Sequence, residues 1–381
     1  MNLELSEDQQ ILKQSVQGAL RSSYGFDARK RGLESDKGWQ DEAWMMFAEQ
    51  GLLGLPFAES DGGYGASRVE LMIVLEALGK SLVLEPFIPT VVVGGGFLRH
   101  GGSPAQRKEI VPSIVNGSRT MAFAQLERQA RYDLHDVATN ARQASGAFVL
   151  NGRKCVVPGG GSADLLIVSA RTAGDRCDRD GIGVFIVPAD AKGVHVEAYK
   201  THDGSNASDI VFEEVTVGPE AVLGDPIEGA RLIETVIDEA RVALCSEAVG
   251  AMDEAMAITM EYLKTRRQFG TTIGSFQALQ HRAADMLVAI EQARGITMFA
   301  TVACDSADAD ERTRAVSAAK YRVGNSAKFI GEQCVQLHGG VGMGMEASIG
   351  QFFKRLTMID RCYGDSTYHL QRLAELGGLP S

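Results

Sequence analysis

The chain has 381 residues, 45% hydrophobic and 23% charged, a balance that excludes a disordered chain and suggests two or three domains. Its 38 Lys+Arg against 49 Asp+Glu give a formal net charge of −11 with no basic cluster, so nucleic acid is not an expected partner. The six cysteines form no CxxC and the seven histidines no HxxxH pair; reduced thiols in a cytoplasmic protein are expected, and no metal site.

The start, MNLELSEDQQ, has no positively charged region followed by an apolar one, so no signal peptide is expected. The longest uncharged stretch, Pro86–Leu98, is too short to span a bilayer, and no membrane segment is expected. Ser6-Glu-Asp-Gln9 matches a capping box, and Ile11, Leu12, Val16, Ala19 and Leu20 follow at helical spacing. Helices are expected near Ala43–Gly51, Arg68–Gly79 and Val91–His100, the last weakened by Gly94-Gly95-Gly96.

From about residue 119 the period changes. Thr120–Gln125, Ala147–Leu150, Arg153–Val157, Leu165–Ala170, Val184–Val187, Val194–Tyr199 and Ile210–Val217 read as strands separated by turns. Asn151-Gly152 predicts a hairpin turn, since both residues tolerate positive φ. No helical pattern separates these runs, so an antiparallel sandwich or barrel is expected. After Gly224-Asp-Pro226 the helical period returns in Ala230–Arg266, Phe276–Thr301, Arg312–Gly339 and Gln351–Leu376, long helices that suit a bundle. The expected fold is multidomain α+β: an N-terminal helical domain (1–118), a central antiparallel β-domain (119–225) and a C-terminal four-helix bundle (226–381).

Three C-terminal motifs carry candidate chemistry. Arg266-Arg-Gln-Phe-Gly270, followed by Ile273-Gly-Ser-Phe-Gln277, places an Arg beside a glycine-ended loop. Such a fork suits phosphate oxygens, and the same residues also suit a plain basic turn between helices. Gln336-Leu-His-Gly-Gly-Val-Gly-Met343 follows a helical pattern, which argues against a nicotinamide fingerprint and leaves a glycine turn along a pyrophosphate open. His338 reads as a structural hydrogen-bonding residue. In Tyr363-Gly-Asp-Ser-Thr-Tyr-His-Leu370, Asp365 is either a base or the cap of the last helix.

In order and motif content the chain resembles the acyl-CoA dehydrogenase family over nearly its whole length. The resemblance rests on Gly51-Leu-Leu-Gly-Leu-Pro56 with Gly62-Gly-Tyr-Gly65, Leu150-Asn-Gly-Arg-Lys154, Phe212-Glu-Glu-Val-Thr-Val217 with Leu223-Gly224, Arg266–Gly270 and Gln336–Gly342. Within the family it is most similar to the small subunit of pimeloyl-CoA dehydrogenase and comparable partner subunits. The resemblance implies FAD, an acyl-CoA substrate, a tetramer of paired dimers and an electron-transfer flavoprotein as acceptor. It also implies the reaction: a carboxylate removes the α-proton of a thioester while the β-hydride goes to the flavin.

Departures from the family pattern are concentrated. Gly364 stands where the family's Tyr-Glu-Gly-Thr motif has its base, and Ala240 precedes the family Arg, here Arg241, at the alternative base position. The family's Thr-Glu-Pro-x-Ala-Gly-Ser-Asp becomes Leu126-Glu-Arg-Gln-Ala-Arg-Tyr-Asp133, and its Trp-Ile-Thr/Ser becomes Val156-Val-Pro158. Leu, Val and Pro side chains cannot donate to a flavin. The groups that the family uses on the adenosine diphosphate end of a neighbouring subunit's FAD survive: Arg266, Gln268, Phe269, Gln336, Gly339 and Gly340, with Gln277 beside them. Arg241 and Tyr363 are the expected substrate-side residues. The expected function is an FAD-associated acyl-CoA dehydrogenase subunit working with a paralogous, base-carrying chain. The alternatives are a self-sufficient, homo-oligomeric enzyme whose base is Asp365 or Glu247, and a non-catalytic subunit that stabilises the partner and its FAD.

Overall fold

Ser6 opens the first helix as its motif suggests: its hydroxyl accepts from Gln9 N at 3.2 Å while Gln9 Oε1 accepts from Ser6 N at 3.0 Å. In the computed structural model, which describes residues 5–344 and 348–378, six helices come first: α1 (Glu7–Ser23), α2 (Phe26–Glu34), α3 (Asp41–Glu49), α4 (Arg68–Lys80), α5 (Gly95–Gly101) and α6 (Pro104–Val115). Seven strands follow: β1 (Met121–Ala124), β2 (Asn140–Ala144), β3 (Ala147–Pro158), β4 (Leu165–Arg171), β5 (Ile182–Pro188), β6 (Val194–Lys200) and β7 (Asn206–Val217). The chain then returns to helix in α7 (Gly229–Thr265), α8 (Gln277–Ala303), α9 (Ala309–His338), α10 (Ser348–Arg361) and α11 (Ser366–Glu375). Helical, β and helical segments therefore occur in the expected order.

By contact density the chain forms two compact units. One contains Met1–Lys30, Arg68–Val83 and Arg241–Ser381, the other Arg31–Ser67 and Leu84–Ala240. The second holds the sheet, ordered β1-β4-β2-β3-β7-β6 with β5 on β4. Most pairs are antiparallel, as expected, but β1 enters parallel to β4, and β2 makes one parallel contact with it. Leu150, Val157, Leu166, Val168, Phe185, Val187, Ile210 and Phe212 form its core. In the same unit, the triple glycine ends a π-turn (Ile88–Gly94) and starts α5. Neighbours explain it: a Cβ on Gly94 would lie 2.7 Å from Met121 Cβ, and one on Gly95 2.7 Å from the Phe57 ring.

The hairpin expected at Asn151-Gly152 is not there. Those residues lie inside the twelve-residue β3, at a register shift against β7. Gly152 is needed for close approach, since a Cβ would meet Thr139 Cα at 2.6 Å, and Asn151 exchanges side-chain hydrogen bonds with Glu214. The turn that joins β2 to β3 is Ser145-Gly146, with φ of 52° and 83°. The sequence reading also missed β2.

In the first unit, α4 and α7 cross at small residues. A Cβ on Gly79 would lie 2.0 Å from the Glu247 carbonyl oxygen, and one on Gly250 1.9 Å from that of Glu76. Both positions thus let backbone meet backbone. Helix α8 is long and apolar enough to cross a membrane by length and composition, with a mean hydropathy of 1.2. Its Ala283, Met286, Ile290, Ala293, Thr297 and Ala300 are buried, and it packs against α9 as a bundle helix. The run expected over Gln351–Leu376 is two helices. Tyr363 (φ 55°) and Gly364 (φ 110°) break it, and Lys320 Nζ donates to the C-terminal end of α10 at the carbonyls of Ile359 (2.8 Å) and Cys362 (2.9 Å).

Candidate active site

Past the end of α7 the chain makes a short hairpin, Arg267–Gln268 against Thr271–Thr272, with Phe269 and Gly270 at its tip. Just before it, the Tyr262 ring stacks on His338 at 4.4 Å between centroids, so the hairpin sits beside the turn Gly339–Met343 that closes α9. His338 Nδ1 lies 2.8 Å from the Cys334 carbonyl, the structural role expected of it. Arg282 donates to Gln333 at 2.9 Å and ties the start of α8 to the same end of α9. Arg266, Gln268, Phe269, Gln277, Gln336, Gly339 and Gly340 are thereby gathered at one end of the bundle, and all are exposed. Phe269 is 92% exposed, its ring meeting that of Phe276 edge to face at 6.3 Å.

Arg241 and Tyr363 also meet. Arg241 is fully buried, its Nε donates to the Tyr363 carbonyl at 2.9 Å, and its guanidinium lies 5.9 Å from the Tyr368 ring centroid. His369, which sequence reasoning passed over, is fully buried with Nε2 3.2 Å from that same carbonyl and Nδ1 3.3 Å from Ser317 Oγ. Burial, then the positive charges of Arg241, Lys320 and Arg372, push its pKa well below the usual histidine range, so the ring is neutral.

The two carboxylates proposed as bases stand apart from each other in role and surroundings. Asp365 caps α11: its side chain accepts from Tyr368 N at 2.9 Å, and Arg361 donates to its second oxygen at 3.2 Å. Glu247 is buried and bound by Arg355 through two parallel hydrogen bonds of 2.6 and 2.7 Å. In each case the structural alternative to a base is the geometry found.

In the β-unit, the altered Leu126 segment is fastened by a buried ion pair. Lys154 Nζ donates to Glu127 Oε1 at 2.8 Å, to Ser169 Oγ at 3.1 Å and to the Gln125 carbonyl at 3.2 Å. Glu127 also accepts from the backbone N–H groups of Ala138 and Thr139. Burial raises the Glu127 pKa, but the Lys154 charge and these hydrogen bonds outweigh it and hold the carboxyl at about 2. The pair was missed in the sequence although Lys154 stands in a quoted motif; its partner is distant along the chain.

Residues 6–118, 122–215 and 228–376 match the N-terminal, middle and C-terminal domains of acyl-CoA dehydrogenases, in that order. The chain belongs to the acyl-CoA dehydrogenase family. It is 27% identical over 380 residues to the probable acyl-CoA dehydrogenase YngJ of Bacillus subtilis (strain 168), covering 98% of both chains. Among solved structures it resembles a chain of a variant of the Tcur3481–Tcur3483 steroid ACAD, at TM-score 0.88 and 29% identity over 97% of each chain. It also resembles a chain of the ChsE4–ChsE5 complex from Mycobacterium tuberculosis, at TM-score 0.90 and 25% identity over 100% of each.

FAD is the cofactor of this family, and the residues of this acyl-CoA dehydrogenase fit it unevenly. At the bundle end they fit: a Cβ on Gly270, Gly339 or Gly340 would meet nothing within 4 Å, so the backbone is open to an approaching group; the positive φ of Gly270 (81°) and Gly339 (59°) favours glycine on its own, whereas Gly340 has neither crowding nor positive φ to explain it. On the β-unit they do not, because the side chains of Leu126, Val156 and Pro158 offer no hydrogen-bond donor.

Proposed function

We propose that this protein is one subunit of a heteromeric acyl-CoA dehydrogenase, and that it lends its bundle end to an FAD held mainly by a paralogous, base-carrying chain. One contrast carries the reading. The exposed set of Arg266, Gln268, Phe269, Gly270, Gln336, Gly339 and Gly340 is intact and open, while Gly364 and Ala240 supply no carboxylate and Leu126, Val156 and Pro158 no donor. Arg266 would grip the pyrophosphate as a charge-assisted fork. Gly339 and Gly340 would let backbone approach it, the amides of Gln268, Gln277 and Gln336 would orient the polar groups around it, and Phe269 would cover an apolar face. FAD, when bound, supplies the hydride acceptor for α,β-dehydrogenation of a CoA thioester. Arg241 and Tyr363 stay assigned to the substrate side, where the fully buried Arg241, bonded to the Tyr363 carbonyl, would act by holding that turn rather than by touching the substrate. Likeness to a chain of the ChsE4–ChsE5 complex supports a heteromer; its arrangement as a tetramer of paired dimers is carried by the family resemblance alone. We further assign the electron acceptor as an electron-transfer flavoprotein, the compartment as the cytoplasm, and three domains, 1–118, 119–225 and 226–381.

The test is flavin stoichiometry. The chain is purified alone and after co-expression with a paralogous acyl-CoA dehydrogenase from the same genome that carries the Tyr-Glu-Gly-Thr motif, and FAD is counted per chain by absorbance alongside native mass. One FAD per heterodimer is expected, with little dye reduction by the lone chain. One FAD per chain and brisk turnover without a partner would overturn the heteromer and favour the self-sufficient reading.

A further inference from the structure

The turn between α10 and α11 is closed from several sides. Gly364 adopts φ 110°, and a Cβ built on it would lie 2.5 Å from Tyr368 Cδ1 and 2.6 Å from His369 Nε2. Real Cβ atoms do not come so close, and His369 has nowhere to retreat. It is fully buried, its two ring nitrogens are placed against Ser317 Oγ and the Tyr363 carbonyl, and its ring meets Tyr368 edge to face at 5.1 Å. Tyr368 in turn lies beneath the Arg241 guanidinium. The backbone is held as firmly. The Tyr363 carbonyl accepts from Arg241 and faces His369, the Cys362 carbonyl accepts from Lys320, and Ser366 N donates to Asp360 at 3.1 Å.

We propose that His369 and Tyr368 close position 364 against any side chain, with His369 as the positioning residue that holds the turn through the Tyr363 carbonyl. The missing base is then a filled site rather than an empty one, and restoring the family glutamate at 364 does not return proton abstraction to this chain. The closure stands on the geometry of the turn; its catalytic consequence rests on the heteromeric reading above.

Two measurements on the purified complex test it. The first is a double-mutant cycle in urea, with Gly364→Ala made in the natural chain and in a Tyr368→Ala/His369→Ala background. The midpoint loss caused by Gly364→Ala should shrink at least about twofold in that background, the remainder being backbone strain. An unchanged loss overturns the closure. The second is Gly364→Glu in a complex whose partner has its base glutamate changed to glutamine. Anaerobic flavin bleaching is followed with pimeloyl-CoA first and then other acyl-CoAs, scored on those that bleach the parent complex. No bleaching is expected from Gly364→Glu, nor when His369→Ala is added, since Tyr368 still stands 2.5 Å from a Cβ at 364 and the partner holds the flavin; bleaching by Gly364→Glu overturns the proposal. FAD stoichiometry decides the heteromeric reading separately and leaves the result of the stability cycle unchanged.

Discussion

Glu247 and Arg355 face each other across two parallel hydrogen bonds, Nε to Oε1 at 2.6 Å and Nη2 to Oε2 at 2.7 Å, with both side chains largely shielded from water. A carboxylate held this way is a structural anion. Glu247→Gln takes the charge out of a buried bidentate pair and should cost up to about 3–5 kcal/mol of stability, read as a shift in the urea midpoint. The double change Glu247→Leu/Arg355→Met should recover most of that loss. Flavin reduction in the folded complex should barely move. A loss of about a hundredfold with fold and flavin occupancy intact would instead make Glu247 the base.

Asp365 gives a sharper comparison, because asparagine caps helices as well as aspartate does. Asp365→Asn should leave the melting temperature and flavin reduction close to the natural values. Asp365→Ala should destabilise by about 0.5–2 kcal/mol, because Tyr368 N loses its acceptor. A base would behave in the opposite way, with the Asn variant stable and inactive.

Arg266→Ala should weaken FAD retention in the complex about tenfold or more, since a charge-assisted Arg–phosphate pair contributes roughly 1.5–3 kcal/mol. Flavin remaining after dialysis measures it. The exposed position of Arg266 predicts little change in the stability of this chain without flavin. Equal flavin retention by variant and parent would remove Arg266 from the site.

Glu127 makes acid stability predictable. Its carboxyl is held at about 2, against an ordinary value of 4.5. A depressed carboxyl pKa means that the unfolded chain binds the proton first, so this contribution is present above about pH 4.5 and fades as pH falls towards 2. Urea midpoints measured down this range should therefore fall more steeply for the natural chain than for a Glu127→Gln/Lys154→Met variant. Parallel slopes would show that the pair contributes nothing to the acid limb.

Much of this molecule is legible from local pattern, because local pattern is what hydrophobic period and capping report. The Ser6–Gln9 box, the change of period near residue 119 and the apolar spacing of α7 to α9 act over one or two turns and need no distant partner. Family motifs extend this reach, and the set from Arg266 to Gly340 could be assembled before any coordinates.

Other features depended on groups far apart in sequence. Asn151-Gly152 has the chemistry of a turn, yet Thr139 and Glu214 press it into a bulge within β3. Asp365 and Glu247 are both carboxylates near the expected site. Only the N–H of Tyr368 and the fork of Arg355 show that each is engaged as a cap or a buried ion pair. Gly364 reads in the sequence as an absent base. In three dimensions it is a position filled by His369 and Tyr368, because two residues that follow it in the chain fold back over its α-carbon. Spacing along a chain records which groups are available; burial and distance decide which of them are already occupied.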